Sequence, residues 1–166
     1  MTQQLISGGT QQSGDTAKRL VHEWAHYRFG VFSEFGYPSD PIYPPFYTIA
    51  GNPESDEILI NSCTDDQKTI NYHTYDEDNG KDCRPIANNM TGRPINDKCF
   101  PVPDLQNSFK SSLMYSHSGE NITHFCGSAP GDEYHRHNVD SPNKQNTLCD
   151  GKDVWTVISA HKDING

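Results

Sequence analysis

The chain is short of apolar residues: only 33% of its 166 residues are hydrophobic. That is little for a self-sufficient core. It fits a loop-rich extracellular domain, or a piece that borrows core from sequence outside the chain. No apolar run approaches the roughly 20 residues that cross a bilayer, so a direct channel role is set aside. Basic charge is also scarce. Thirteen Lys and Arg face 22 Asp and Glu, giving a net charge of −9, and no basic stripe exists to neutralise phosphates. A nucleic-acid partner is therefore excluded. No Cys-x-x-Cys pair is present, which argues against a structural zinc knuckle. Residues 1–14 have neither the basic start nor the apolar stretch of an export signal. Aromatic residues are not lacking, at 10%, which argues against plain disorder.

What is present points outside the cytosol. Cys63, Cys83, Cys99, Cys126 and Cys149 all lie in the second two-thirds of the chain, widely spaced. Such spacing suits disulfides in an oxidising compartment, and the odd count leaves one cysteine over. The tripeptides Asn89-Met90-Thr91 and Asn121-Ile122-Thr123 make Asn89 and Asn121 glycosylation candidates. The expected location is extracellular, secreted or on the cell surface. With no export signal in residues 1–14, further sequence is expected before Met1.

The pattern along the chain is uneven. Residues 1–14 read as a flexible lead-in. Residues 15–29 read as a helix, with Asp15 as its cap, an apolar stripe of Ala17, Leu20, Val21, Trp24 and Ala25, and Gly30 as its stop. Trp24, Phe29 and Phe32 are expected in the core. Five prolines among aromatics make 36–55 an extended loop. A short strand is expected over 56–62. Residues 63–107 read as loops and short strands tied by disulfides, 126–150 as loops, and 108–116 as a turn or short element. A final helix is expected over 151–163, with Val154, Trp155 and Ile158 on one side.

Chemistry concentrates in the first helix. His22-Glu23-Trp24-Ala25-His26 is an H-E-x-x-H motif. On a helix, residues four apart share a face, so His22 and His26 can present ring nitrogens to one Zn2+. Glu23 lies beside that face and is the candidate catalytic base. Alone the motif fixes only three positions, and two satisfied helix histidines are the competing reading. A catalytic zinc usually has three protein ligands. In the metzincin pattern a Gly follows the second His by three residues, and another His or Asp closes the run. Here Gly30 comes four residues after His26, followed by Val31, Phe32, Ser33 and Glu34.

The run from His22 to Phe35, HEWAHYRFGVFSEF, resembles the corresponding run of the calcium-activated chloride channel regulator (CLCA) family. Ser112-Leu113-Met114-Tyr115, His137-Asn138, Pro142-Asn143, Gln145-Asn146, Cys149 and the 154–158 segment resemble later stretches of the same family. The resemblance implies a secreted or surface protein with a zinc metalloprotease region and a cysteine-rich part, known for self-cleavage and for modulating chloride conductance. It also implies Asp as third ligand where this chain has Ser33. Glu34 is the alternative donor, and its competing reading is a solvent-facing acid. His117, His135 and His137 are further candidates, against which stands ordinary exposure of loop histidines. The resemblance makes 112–115 a Met-bearing turn beneath the metal. Met114 as plain core filling is the competing reading, as is packing for Tyr115, otherwise a candidate oxyanion donor.

The expected fold is α+β: a fragment of a zincin- or metzincin-like metalloprotease domain with a loop-rich, disulfide-containing cysteine-rich part. Residues 15–62 form the C-terminal half of the catalytic region and 63–166 the cysteine-rich region. The expected function is zinc-dependent cleavage of a peptide or protein substrate, with the parent chain itself as the leading target. The alternative is a catalytically impaired extracellular module that modulates a channel or matrix partner.

Overall fold

The computed structural model describes residues 13–48, 58–63, 71–74, 99–102, 111–127 and 136–166. Cys83, Asn89 and His135 lie outside the described residues. Helix α1 spans Ser13–Phe29. It starts two residues before the expected position, so Asp15 falls within the first turn rather than at the cap. It ends where expected. Gly30 takes φ +69°, a left-handed backbone that costs glycine nothing, and its N–H donates to the His26 carbonyl at 3.2 Å.

The buried face of α1 differs from the expected stripe. Ala25 and His22 are buried, with His26 and Phe29 half-buried beside them, a spacing of i, i+3, i+4 and i+7. Trp24 is 53% exposed and Leu20 68% exposed. At 3.6 residues per turn each lies about 200° around the axis from His22, so all cannot share one face. Trp24 is therefore not a core residue here, while Phe29 packs against buried neighbours. Phe32 is half-buried, and its N–H donates to the Gln145 side-chain oxygen at 2.7 Å.

Two small apolar clusters organise the described residues. One joins Phe46, Ile60, Cys99, Leu113 and Ile122. The other joins Ala25, Val31, Met114, Val154 and Ile158. Phe125 packs against both. The adjacent residues Leu113 and Met114 thus feed different clusters from a single turn. Strand β1 (Phe46–Tyr47) pairs antiparallel with β2 (Leu59–Ile60), Phe46 opposite Ile60. The strand expected over 56–62 is thus only two residues long where it is regular. Beyond it Asn61 and Ser62 are buried and polar, and Asn61 donates to the Pro44 and Pro142 carbonyls at 2.7 and 2.9 Å. Strand β3 (Asn71–Thr74) pairs antiparallel with β4 (Cys99–Val102). At Gly36 an added Cβ would run into the Pro44 carbonyl, so the loop from Phe35 to Phe46 closes only around glycine there.

The C-terminal part carries more helix than expected in one place and a broken helix in another. Helix α2, Lys144–Leu148, forms within the expected loop because Asn143 caps it, accepting from the Asn146 N–H. The single helix expected over 151–163 is two: α3, Val154–Ser159, and α4, Lys162–Asn165, capped by Asp153 and His161. Val154 and Ile158 are buried one turn apart, whereas Trp155 is 51% exposed on another side. Arg28 of α1 forms an ion pair with Asp163 of α4. The content is thus mixed helix and small sheet, and no described helix is long and apolar enough to cross a membrane.

Cys63 and Cys126 form a disulfide with Cα atoms 6.4 Å apart. Cys99 is also disulfide-bonded, and among the described residues Cys149 is a free cysteine. The Cys63–Cys126 link spans 63 residues, a loop whose closure entropy corresponds to about 4 kcal/mol. Replacing both by serine is expected to lower unfolding stability in urea by about that amount. A loss below about 1 kcal/mol would contradict this account of the link.

Candidate metal centre

The two motif histidines converge. His22 Nε2 and His26 Nε2 lie 3.1 Å apart, with ring centres 4.7 Å apart and planes at 85°. The opposite ring nitrogens fix the tautomers. His22 Nδ1 is 2.7 Å from the Leu113 carbonyl, and His26 Nδ1 is 2.7 Å from the Val31 carbonyl. A carbonyl only accepts, so each Nδ1 carries the proton and donates it. Both Nε2 atoms then present lone pairs to each other at close range. Such a pair needs a cation or an extra proton between them. Metal-ligating histidines have this arrangement, with the outer nitrogen oriented by a backbone carbonyl. Burial pushes His22 below its ordinary value, against the pull of the Leu113 carbonyl, and so favours the neutral form a ligand needs.

Three segments build the pocket. Helix α1 supplies both histidines at i and i+4. The 31–34 segment returns beneath the helix end, where the Val31 carbonyl orients His26 and the Glu34 N–H donates to the Met114 carbonyl at 3.0 Å. The turn at 112–115 supplies the Leu113 carbonyl to His22 and packs the fully buried Met114 against Ala25 and Val31. That turn is held by Ser112, whose hydroxyl accepts from the Met114 N–H at 3.0 Å. Tyr115 is half-buried and packs against the cluster around Leu113. Glu23, next to His22, is exposed to solvent.

The third position divides between neighbours. Ser33 is buried, and its Oγ lies 3.5 Å from His26 Nε2. Glu34 is wholly buried. Its carboxylate lies 3.8 Å from His137 Nδ1, and neither oxygen has a hydrogen-bond partner among the described residues. Ser33 Oγ approaches His26, whereas the carboxylate of the next residue lies beside His137 and the Cys63 and Cys126 sulfurs. The burial of Glu34 contradicts its solvent-facing alternative. His137, a loop candidate, sits with Glu34 and with the Gly151 carbonyl at 3.0 Å rather than with the motif. His117 lies beside His22, ring centres 5.9 Å apart. Asn121 is exposed in a turn.

A second donor group surrounds Glu34. A Glu34 oxygen and the sulfurs of Cys63 and Cys126 lie within 4.8 Å of one another, all buried, a set that could hold a metal ion. With the disulfide formed, neither sulfur is a thiolate, so that set requires reduction first. Sequence reasoning misses the Glu34–His137 pair, since nothing in the spacing joins residues so far apart.

That pair gives the fold a pH dependence. Burial raises the Glu34 carboxyl above its ordinary value. Burial opposes charge on His137, but the adjacent Glu34, the Gly151 carbonyl and Asp153 outweigh it and hold the imidazole above its ordinary value. A raised carboxyl stabilises the fold while protonated, and a raised imidazole stabilises it while charged. Both contributions are complete below the unfolded values and are lost as pH rises through the folded ones. With chelator present, the melting temperature is expected to fall from roughly pH 5 to 8 more steeply in the native chain than in Glu34→Gln. Identical pH profiles would contradict the pairing.

A family model described as "Calcium-activated chloride channel N terminal" matches residues 1–166. Calcium-activated chloride channel regulator 1 of Bos taurus is 30% identical over 160 residues, covering 96% of this chain and 16% of its own length. Calcium-activated chloride channel regulator 4 of Homo sapiens is 30% identical over 166 residues, covering 98% of this chain and 16% of its own length. Calcium-activated chloride channel regulator 2 of Mus musculus is 28% identical over 152 residues, covering 92% and 14%. The chain thus spans about 16% of the length of such relatives. No solved structure matches. With the family model covering every residue, the chain belongs to the calcium-activated chloride channel N-terminal family.

Proposed function

We propose that this chain is the zinc-binding, peptide-cleaving region of an extracellular chloride channel regulator. The observation that carries the reading is the pair of Nε2 atoms at 3.1 Å, each turned inward by a backbone carbonyl behind it. Neutral imidazoles so oriented suit Zn2+, which binds nitrogen at about 2.0–2.1 Å. When bound, zinc would polarise a scissile carbonyl and lower the pKa of a water to about 7. Glu23, exposed on the same helix turn, would be the general base of that site, taking up a proton on its carboxylate and giving it to the leaving amine. The 112–115 turn under the pair holds His22 in its tautomer and gives the site a rigid floor through Met114. This combination of helix, returning segment and buried Met turn supports a zincin-like arrangement.

The substrate class is a peptide or protein, with the parent chain itself as one target. The regulators that match by name act on chloride channels, and a channel partner for this chain is part of the same reading. The Cys63–Cys126 disulfide and the exposed Asn121 sequon support an oxidising, extracellular setting. The apolar face formed by Leu20, Val21, Trp24 and Tyr27 of α1 is exposed, which fits a unit that packs on further sequence. A second reading is favoured by Ser33. A neutral hydroxyl, not an acid, stands 3.5 Å from His26, and a weakened site would leave an extracellular interaction module.

The two readings part on zinc content and on Glu23. The purified chain is expected to hold close to one equivalent of zinc by elemental analysis. Glu23→Gln is expected to retain that zinc while peptide cleavage falls by about 10²- to 10⁴-fold. Cleavage unchanged in Glu23→Gln would remove the enzyme reading, and a chain without zinc would leave the interaction module.

A further inference from the structure

Glu34 is fully buried, yet neither of its carboxylate oxygens has a hydrogen-bond partner among the described residues. A buried carboxylate left in that state is costly. Its neighbours are themselves unusual. His137 Nδ1, also without a hydrogen-bond partner, lies 3.8 Å away, and the sulfurs of Cys63 and Cys126 lie within 4.8 Å. Among the described residues, Glu34, Cys63 and Cys126 are the one set of three or more His, Cys, Asp or Glu donor atoms brought so close together.

We propose that Cys63, Cys126 and Glu34 form a zinc site only when the Cys63–Cys126 disulfide is reduced, so that the same two sulfurs serve either as a covalent link or as a metal clip. The inference does not depend on the zinc reading of the histidine pair. A dithiol reductant supplies the two electrons: the S–S bond breaks, two protonated thiols form, and the dithiol leaves as its own disulfide. Zn2+ binding then displaces the two thiol protons to solvent, because the metal takes thiolate. Two thiolates and a carboxylate are three protein donors, the number used by a zinc with one further position. Thiolates also select the metal, favouring Zn2+ over Ca2+ and Mg2+, which take oxygen donors. Zinc binds sulfur at about 2.3 Å and carboxylate oxygen at about 2.0–2.2 Å. On a tetrahedral centre the two sulfurs then stand about 3.8 Å apart, each about 3.6 Å from the oxygen. Parted thiols reach that spacing by side-chain rotation from Cα atoms 6.4 Å apart.

The three donors are held in place without the S–S bond. The Cys63 carbonyl accepts from the Ser112 N–H at 3.3 Å and from the Ser111 hydroxyl. The Cys126 N–H donates to Ser112 Oγ at 3.5 Å, and the Cys126 carbonyl accepts from the Trp155 N–H at 3.2 Å. The Glu34 N–H donates to the Met114 carbonyl at 3.0 Å. One short segment, 111–114, thus contacts the backbone of all three donors, and reduction leaves them facing one another. His137 is fixed from behind. Its Nε2 donates to the Gly151 carbonyl at 3.0 Å, which leaves Nδ1 towards Glu34. A carboxylate has two oxygens, so one can keep His137 as its neighbour while the other takes the metal.

Cobalt substitution tests this, because a Co2+–thiolate bond gives a near-ultraviolet charge-transfer band that imidazole ligation lacks. The histidine pair is therefore silent in the readout. The chain is reduced with a water-soluble phosphine, which is itself oxidised to the phosphine oxide, then desalted under nitrogen and titrated with Co2+ and afterwards Zn2+. The thiolate band is expected in the reduced chain, absent from the disulfide form, and displaced by Zn2+. Cys63→Ser with Cys126→Ser is expected to lose the band after the same reduction, although Cys99 and Cys149 remain. Glu34→Gln, which keeps its disulfide until reduction, is expected to bind Co2+ at least about 100-fold more weakly by the same band, beyond the loss typical of an outer-sphere partner. No thiolate band in the reduced native chain, or a band undiminished in the double serine variant, would overturn the site. Native affinity in Glu34→Gln would overturn it as well. None of these outcomes bears on zinc at His22 and His26.

Discussion

A hydrogen bond between residues 91 apart, from His22 Nδ1 to the Leu113 carbonyl, holds the site to the rest of the fold. It does three things at once. It fixes the imidazole tautomer, so that the Nε2 lone pair faces His26. It places the 112–115 turn against α1, which seats Met114 between Ala25 and Ile158 in one cluster. It also sets the direction in which the chain leaves that turn, towards Ser116, His117 and the Lys18 contact. From the other side, Cys126 ties the same region to Cys63, and the Ser112 N–H donates to the Cys63 carbonyl at 3.3 Å. The turn is therefore clamped between a helix and a disulfide, and the histidine pair inherits that rigidity.

Around this clamp, polar side chains hold loops together where apolar area is scarce. Asn61 bridges two proline carbonyls and accepts from Ser141 Oγ at 2.6 Å. Asn146 spans the Asn138 and Ser141 carbonyls at 2.8 and 2.7 Å. Gln145, fully buried, accepts from the Phe32 N–H and donates to the Lys152 carbonyl at 3.0 Å. Each such bond contributes only about 1 kcal/mol net, but a buried amide left without partners would cost more. A chain with 33% hydrophobic residues thus reaches order by satisfying buried amides. That matters for the site, because Gln145 pins the segment carrying Val31, Ser33 and Glu34.

Helical periodicity makes the histidine pair legible in the sequence. His22, Glu23 and His26 carry a spacing that only a helix turns into one face, and Gly30 marks where that helix ends. The same periodicity misleads at Trp24, Leu20 and Val21, because it takes apolar residues to face inward. Here the inward face is partly polar, since the histidines themselves occupy it. Glu34 is illegible for a different reason. One residue separates the side chain beside the histidine pair from the one beside the disulfide, and no spacing rule shows which of Ser33 and Glu34 faces the pair. Helix α2 leaves almost no signal, because it rests on a single cap, Asn143, followed by only five helical residues. The break between α3 and α4 rests on His161 acting as a cap, which reads equally well as a helix interior. The contact between His117 and His22 is tertiary, and its signal lies only in the neighbouring Met114 turn.

X-ray absorption at the zinc edge of the loaded chain tests the central claim most directly, because it reads the donor atoms themselves. The account predicts nitrogen and oxygen neighbours at about 2.0–2.1 Å, with the outer-shell scattering of imidazole rings. Sulfur neighbours at about 2.3 Å would place the metal at Cys63 and Cys126 instead, and would contradict a site built on His22 and His26.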